Sequence, residues 1–357
     1  MTRTRASFFT AAAISAVPLA LVAGFAWAGG WIGAPRLGGS TIVDAIEFNA
    51  GRHEGYRRAH AKGVCITGYF TATGKAAPLS RARLFATGRY PVIGRFSTGG
   101  GNPFATDGRN VFHALALQLT GPDGQIWRMA MDHVPIFPVA TPQAFAALQR
   151  ASRVDPATGK PDPAAMKAYL AAHPETRAYQ DYIAAAPLPD SFANGTYFSI
   201  NAFRLIDRTG TSRAVRWAFE PEASFGALDK AALARLPQDF LFDDLSERIA
   251  RGPLRWRMIV TLAAPGDVTD DATVLWPAGR RTVEAGTLTL TAAQPEERGA
   301  CRDITFDPTI LPDGVALSDD PLLAARSAAY SISLQRRARE TPGPSAVGKA
   351  LAGTEAR

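Results

Sequence analysis

The sequence predicts an α+β fold built around an antiparallel β-barrel of about eight strands. Eight segments rich in β-branched and aromatic residues follow one another in hairpin-like succession. Turn sequences such as Gly121-Pro122-Asp123-Gly124 separate neighbouring segments. A succession of hairpins of this kind points to a barrel. Segments with helical periodicity interrupt the series, so the predicted class is α+β.

The predicted strands either alternate apolar and polar residues or are dense in β-branched and aromatic side chains. In chain order they are Val64–Thr71, Pro91–Ser97, Val111–Leu119, Ile126–Met131, Tyr197–Ile206, Ala214–Glu220, Leu254–Leu262 and Thr287–Thr291. A helix from Thr41 to about Phe48 precedes them and follows a short Gly38-Gly39-Ser40 linker. The further predicted helices are Pro142–Ser152, Pro163–Ala172, Glu175–Ala186, Lys230–Arg235, Phe240–Arg251 and Pro321–Arg337.

Bulk properties indicate a globular protein. The chain has 357 residues, of which 46% are hydrophobic, enough for a buried core in one large domain or two ordinary ones. The formal net charge is +7, but the basic residues are spread along the chain. We therefore expect no nucleic-acid partner and interpret the charge as solvated surface.

The N-terminus is predicted to direct export. Arg3 and Arg5 precede the uncharged stretch Ala6–Pro35, which is longer than a typical signal core and close to the length of a membrane span. Cleavage near Ala26-Trp27-Ala28 and retention as a membrane anchor through residues 6–33 both remain open. In either case the positive charge stays inside, so the folded chain is expected to be periplasmic or extracytoplasmic, and attached to the inner membrane if the segment is retained.

The most informative local pattern lies near the C-terminus. Arg326 precedes Tyr330 by four residues in a predicted helix, so the two side chains share one helix face. A tyrosine titrates near ~10 and binds iron as an anion at neutral pH only where a fixed positive charge stabilises the phenolate. A phenolate is one of the few protein ligands of haem iron. The spacing can therefore produce a phenolate at Tyr330 with Arg326 as its charge partner, and the other motifs of the chain decide whether Tyr330 is an iron ligand.

Two cysteines occur, Cys65 and Cys301. In an oxidising compartment they could pair, and alternatively both could be small buried hydrophobic residues. The sequence contains no CxxCH, so covalent attachment of a c-type haem is not expected.

Three further motifs precede the C-terminal one. They are Arg57-Arg58-Ala59-His60-Ala61-Lys62-Gly63 with Gly68-Tyr69-Phe70, Arg95-Phe96-Ser97-Thr98, and Asp132-His133-Val134-Pro135-Ile136-Phe137. With these four motifs in order, the chain from about Asn49 to Arg337 resembles the haem catalases, in particular the short catalase-related peroxidases. The resemblance implies a barrel with helices packed outside it and haem b (iron protoporphyrin IX) as the cofactor.

The same resemblance sets the expected organisation of the chain. We expect the export signal or anchor at residues 1–35, a catalase-like peroxidase domain at residues 36–340 and a flexible tail at residues 341–357. Nothing in the chain matches the extra helical region or flavodoxin-like domain of larger catalases. We therefore expect a monomer or homodimer.

The resemblance also assigns the catalytic and propionate-binding residues. His60, expected on the strand that enters the barrel, matches the distal base that moves a proton during O–O cleavage. Arg57, Arg95 and Arg337 match arginines that bind the haem propionates, a role that suits the planar guanidinium fork.

Four further residues match positions beside the haem. Ser97 and Thr98 are expected over its distal face, where a hydroxyl can orient the histidine ring. Phe137 matches a residue of the distal wall, and Phe145 matches the ring that stacks beside the porphyrin. Each of the four could equally be an ordinary strand or core residue.

The chain departs from the resemblance at Asp132. Catalases carry an asparagine there, which donates a hydrogen bond to peroxide, whereas an ionised aspartate can only accept one. A buried Asp132 could stay protonated and donate. Otherwise the adjacent His133 could turn inward as a second proton relay. We expect disproportionation of a second hydrogen peroxide to be weakened more than the first cleavage.

Together these expectations describe a haem-dependent peroxidase. It would reduce hydrogen peroxide or organic hydroperoxides with a small organic electron donor, through a ferryl intermediate and with weak catalase activity. Two alternatives remain open: a fatty-acid hydroperoxide isomerase on the same scaffold, and a non-enzymatic haem carrier or sensor. His60 discriminates against the carrier, because a carrier does not need a distal base.

Overall fold

The computed structural model describes residues 18–24, 37–109, 112–229 and 231–347, apart from the side chains of residues 109 and 234. The chain divides into two compact units, Met1–Gly38 and Gly39–Arg357. In the first unit, residues 18–24 are helical, and most of the predicted signal or anchor lies outside the described residues. Within the described ranges, no helix combines the length and the apolar character needed to cross a membrane.

The second unit contains a closed antiparallel barrel of eight strands, which confirms the predicted fold class. The strands in chain order are β1 Gly63–Ala72, β2 Gly88–Thr98, β3 His113–Thr120, β4 Ile126–Asp132, β5 Val154–Asp155, β6 Lys160–Pro161, β7 Tyr197–Phe198, β8 Phe203–Ile206, β9 Ser212–Pro221, β10 Leu254–Leu262, β11 Thr282–Gln294 and β12 Val315–Leu317. The barrel order is β10-β11-β1-β2-β3-β4-β7-β9, and the pairing of β9 with β10 closes it.

The predicted strand Tyr197–Ile206 is wrong as a single element, because it divides into β7 and β8. Between them, Ile200 has a backbone φ of +62°, and the N–H of Asn201 donates to the carbonyl of Ser199 at 2.7 Å. A β-branched residue in the left-handed region interrupts the extended backbone. As a result, β7 pairs with β4 in the barrel, whereas β8 pairs with β12.

The helices mostly follow the predicted pattern. They are α1 Gly39–Ala50, α2 Pro142–Ala151, α3 Pro163–Ala172, α4 Thr176–Ala185, α5 Phe240–Arg251 and α6 Pro321–Ala338. Pro at the first turn preceded by a capping side chain starts α2, α3 and α6, the caps being Thr141, Asp162 and Asp320. The predicted helix Lys230–Arg235 is wrong, since Leu233–Arg235 forms only a 3-10 turn. The following Pro237 disfavours helical backbone at Leu236, which is extended.

The barrel interior holds the main hydrophobic core. Phe96, Trp127, Tyr197, Phe219 and Trp256 are fully buried there. Because successive strand residues point to opposite faces, the neighbours of Phe96 on β2 face outward. That outer face, together with helices α1, α2 and α6, which contact one another, encloses a separate cavity.

Candidate active site

One cavity brings together side chains from all four predicted motifs. Strand register places Ala114 opposite both Ser97 and Asp132, and Ala116 opposite Arg95, so these residues share the outer face of the barrel. The predicted site residues that line the cavity are Arg57, His60, Arg95, Ser97, Asp132, Phe137, Phe145, Arg326, Tyr330 and Arg337. Thr98 is buried on the opposite side of β2 and lies outside the cavity wall.

His60 enters the cavity from an irregular segment and not from a strand, since β1 begins three residues later at Gly63. Its backbone φ is +53°, a conformation that costs a non-glycine residue of order 1–3 kcal/mol and is retained mainly at functional sites. Oγ of Ser97 lies 3.4 Å from Nδ1 of His60. The two atoms are near the upper limit of hydrogen-bonding distance, so the hydroxyl is placed where it could orient the ring.

The environment of His60 favours its neutral form. Burial lowers the pKa of His60 to about 4, and the positive charges of Arg95 and Arg326 act in the same direction. At neutral pH the ring is therefore uncharged and has a nitrogen lone pair available to accept a proton. A general base near a peroxide needs this state.

Asp132 ends strand β4 with its side chain in the cavity wall. Burial raises its pKa to about 7, although Arg326 opposes the shift. At neutral pH a large fraction of this carboxyl is consequently protonated and able to donate a hydrogen bond. The alternative relay, His133, lies outside the cavity wall: its Nδ1 accepts from the backbone N–H of His113 at 3.1 Å.

Two hydrogen bonds hold the guanidinium of Arg326, which lies one helical turn before Tyr330 on α6. Its Nη1 donates to Oδ1 of Asn201 at 2.6 Å, and its Nη2 donates to the carbonyl of Ala130 at 3.1 Å. Nδ2 of Asn201 donates in turn to Oδ2 of Asp320 at 2.7 Å. The other carboxylate oxygen of Asp320 caps α6, the helix that carries both Arg326 and Tyr330.

Sequence reasoning missed Asn201 and Asp320 as site residues. The Asp320-Pro321 pair signals a helix start, and this was the available clue to Asp320. No local pattern marks Asn201, because its partners come from distant parts of the chain.

A third missed residue, Glu296, links the predicted propionate arginines. Nε and Nη2 of Arg95 donate to its two carboxylate oxygens, each at 2.8 Å, and Nε of Arg57 lies 3.5 Å from Oε1. Burial lowers the pKa of Arg337, and the nearby carboxylate of Glu296 offsets part of this shift. Burial and the nearby Arg95 lower the pKa of Arg57 to about 9, so Arg57 is still charged at neutral pH.

A disulfide joins Cys65 on β1 to Cys301, with Cα atoms 5.3 Å apart. The alternative of two unpaired buried cysteines is therefore wrong. The backbone carbonyl of Cys301 accepts from Nη2 of Arg57 at 3.0 Å, as do those of Arg302 and Ile304 at 3.1 Å each. The disulfide thus ties the segment around Cys301, whose carbonyls accept from Arg57, to strand β1 of the barrel.

A cavity beside the outer face of a closed barrel, lined by a neutral histidine and by a helix-borne arginine and tyrosine, is typical of a cofactor-dependent enzyme. The sequence profile of the catalase family matches residues 41–341. The chain is 40% identical to a catalase-related peroxidase of Synechococcus elongatus over 95% of this chain and 99% of the relative. It is 33% identical to a catalase-related peroxidase of Mycolicibacterium paratuberculosis over 83% of this chain and 93% of the relative.

Solved structures agree at the level of the fold. Catalase A from Saccharomyces cerevisiae has a TM-score of 0.71 and 20% identity, covering 79% of this chain and 61% of the yeast chain. A bacterial catalase has a TM-score of 0.70 and 21% identity, covering 83% of this chain and 59% of its own. The chain thus spans about three fifths of these longer proteins. It belongs to the catalase family, and it is an oxidoreductase of that family.

Catalase-family proteins bind haem, and the residues of the cavity fit this group. Three guanidinium groups, those of Arg57, Arg95 and Arg337, surround the single carboxylate of Glu296. They leave two positive charges in excess, which is the number of negative charges on two propionates. The cavity contains about 1280 Å³ of empty space including its open mouth.

Proposed function

We propose that the chain is a haem b peroxidase. It reduces hydrogen peroxide or organic hydroperoxides with a small organic electron donor, and catalase turnover is a lesser activity. The observation that carries the proposal is the placement of a neutral His60 and of the Arg326–Tyr330 pair in the wall of one cavity.

Seven of the predicted site residues in the cavity wall would hold the cofactor. Tyr330 supplies the ligand oxygen to iron, and Arg326 balances its negative charge. Arg57, Arg95 and Arg337 would hold the propionates, Phe145 would pack beside the porphyrin, and Phe137 would form part of the distal wall. When bound, haem iron supplies the site at which the peroxide O–O bond breaks and stores the two oxidising equivalents.

The protein residues move the protons. His60 accepts a proton from the peroxide and returns it to the oxygen atom that leaves as water or alcohol, which general acid–base catalysis makes about 10²–10⁴-fold faster. Ser97 orients the imidazole ring. Protonated Asp132 donates a hydrogen bond to the peroxide, as the side-chain amide of an asparagine would at this position. Because a fraction of Asp132 is ionised near neutral pH, oxidation of a second hydrogen peroxide is disfavoured relative to reaction with an organic donor.

We also propose that the folded unit works in the periplasm or a comparable space. The Cys65–Cys301 disulfide supports this location, because disulfides persist mainly in oxidising compartments. The basic start of the chain and the uncharged stretch that follows support it independently.

The proposed function is tested with purified haem-loaded protein. We expect guaiacol oxidation that depends on peroxide, with cumene hydroperoxide and hydrogen peroxide both accepted and with slower oxygen release from hydrogen peroxide alone. Protein that binds haem but neither consumes peroxide nor oxidises a donor would be a carrier, and the proposal would then be wrong.

A further inference from the structure

A second cavity, with about 1000 Å³ of empty space including its open mouth, adjoins the first. Arg57, Leu334 and Arg337 line both cavities. Since two of these three are propionate arginines, the second cavity lies beside the propionate edge of the proposed haem site. The predicted roles leave this space without a function.

Specific contacts within the folded unit hold the residues that form the cavity wall. Its outer wall comes from residues 342–345, which follow α6. Oη of Tyr56 donates to the carbonyl of Pro344 at 2.7 Å, and the backbone N–H of Ser345 donates to a carboxylate oxygen of Glu297. A Cβ atom at Gly343 would lie 2.5 Å from the ring of Tyr56, so glycine permits the close approach. Residues 342–345 are thus tied to the domain, although they fall in the predicted flexible tail.

The charges around the cavity are mixed. Two of its acidic residues have arginine partners that lie outside its wall. Glu340 accepts from Arg58 and Arg52, and Glu296 accepts from Arg95. Neither carboxylate therefore presents an unpaired charge to a ligand.

The remaining charged groups nearly balance. Arg57, Arg302, Arg337, Glu297 and Asp303 all line the cavity. Once Arg57 and Arg337 pair with propionates, Arg302 is left with the two acidic residues, so the wall carries no excess of positive charge. An uncharged ligand with hydroxyl groups suits such a wall better than a strong anion or cation does.

Aromatic and apolar surface is also available to a ligand. Tyr56 lines the cavity, and its ring meets Phe104 edge to face with centroids 5.6 Å apart. Leu334 supplies an apolar side chain that is 37% exposed. Rings in such surroundings stack on another ring or on a guanidinium plane.

We propose that this second cavity binds the reducing co-substrate, and that the co-substrate is a small uncharged phenol. The inference rests on the proposed peroxidase function. Two phenol molecules react in succession, and each loses the electron and the proton of its O–H group. The peroxide O–O bond breaks, and the two electrons and two protons convert one hydroperoxide into one alcohol and one water, leaving two phenoxyl radicals.

Filling the cavity tests the proposal. Ala338 ends α6, is exposed and lines the cavity, so Ala338→Trp fills it without disturbing the barrel. Guaiacol is titrated calorimetrically into resting protein, and its KM is measured in steady state. We expect Kd and KM for guaiacol to rise at least about tenfold, equivalent to about 1.4 kcal/mol, while the rate of the first reaction with peroxide stays unchanged.

Two further variants complete the design. Gln335→Trp places the same side chain on an exposed neighbouring turn of α6 outside this cavity, and it should leave all three quantities unchanged. Asp303→Trp fills the cavity from the opposite wall, starting from an exposed residue, and should reproduce the effect of Ala338→Trp.

The outcomes separate the two proposals. Guaiacol that binds and reacts equally well in all variants, or a rate that rises with guaiacol without saturation, would overturn the donor site and leave the peroxidase intact. Absence of any reaction with peroxide in the unaltered protein would overturn the peroxidase itself. Calorimetric binding of guaiacol is measured without peroxide, so its loss in the filled variants supports the site independently of turnover.

Discussion

The guanidinium of Arg326 donates to the side-chain oxygen of Asn201 at 2.6 Å. Asn201 donates onward to Asp320, so an amide links the arginine to the cap of the helix that carries it. This chain of contacts fixes where the positive charge sits relative to Tyr330, one helical turn further along. The position of this positive charge therefore depends on a residue outside the four motifs.

Replacing Asn201 should disturb both stability and the haem spectrum. Asn201→Leu keeps the approximate volume but leaves the charged groups of Arg326 and Asp320 without their partner. We expect the free energy of unfolding, measured in urea, to fall by about 1–3 kcal/mol, together with a shifted absorption band. Asn201→Asp retains an acceptor for Arg326 but repels Asp320, so it should lose stability with less spectral change. A spectrum unaffected by Asn201→Leu would remove the positioning role.

Tyr330→Phe should change the colour of the haem-loaded protein and reduce its haem occupancy. The substitution removes a single oxygen, the proposed ligand atom, and leaves the ring to pack as before. Absorption spectra and iron content per chain provide the measurement. Unchanged colour and occupancy would show that iron is held by another residue.

His60→Ala should slow the reaction with peroxide by about 10²–10⁴-fold, because no base then accepts the proton. Haem binding should persist, since His60 is not a proposed ligand. In the unaltered protein the rate should fall as the pH is lowered through about 4, where the imidazole becomes protonated. Rapid mixing across a pH series measures both effects. An equal rate in His60→Ala would contradict the assignment.

Asp132 should set the alkaline limit of activity. Its pKa is raised to about 7, so the protonated, donating form is present below that pH and is lost as the pH rises through it. Asp132→Asn restores a permanent donor. We expect this variant to lose the decline above pH 7 and to release oxygen from hydrogen peroxide faster relative to guaiacol oxidation. If the decline above pH 7 persists in Asp132→Asn, a group other than Asp132 causes it.

Removing the disulfide should weaken both the fold and the propionate site. Cys301→Ser opens a link between residues 236 positions apart, and losses of about 2–5 kcal/mol are typical for native disulfides. Because Arg57 donates to the carbonyl of Cys301, haem affinity should fall as well. The double variant with Cys65→Ser should match the single variant in urea unfolding. Full haem affinity in both variants would show that the disulfide does not contribute to the propionate site.

Local patterns predicted most of the fold. Alternating β-branched residues locate the barrel strands, and Asp-Pro or Thr-Pro starts locate α2, α3 and α6. The interruption at Ile200 could not be predicted, because a β-branched residue is a poor candidate for positive φ. The placement of His60 on a strand came from the resemblance and was wrong, and nothing in the local sequence signals the left-handed backbone observed there.

The site residues likewise fall into those that a local sequence pattern predicts and those that only the fold reveals. The predicted residues Arg57, His60, Asp132 and Tyr330 belong to contiguous motifs, and the fold brings them together. Glu296 and Asn201 were missed because their contacts join segments distant in sequence, and no short-range pattern marks such a partner. Pairing of the cysteines also required the fold, since it depends on the separation of their Cα atoms.

The bond between Cys65 and Cys301 has a practical consequence for handling the protein. A single protease cut in an exposed turn such as Arg208-Thr209-Gly210 would fall inside the loop that this bond closes. The two pieces would stay covalently joined and migrate as one band in electrophoresis until thiol is added. Gels run without reductant would therefore conceal nicked material in a preparation judged to be intact.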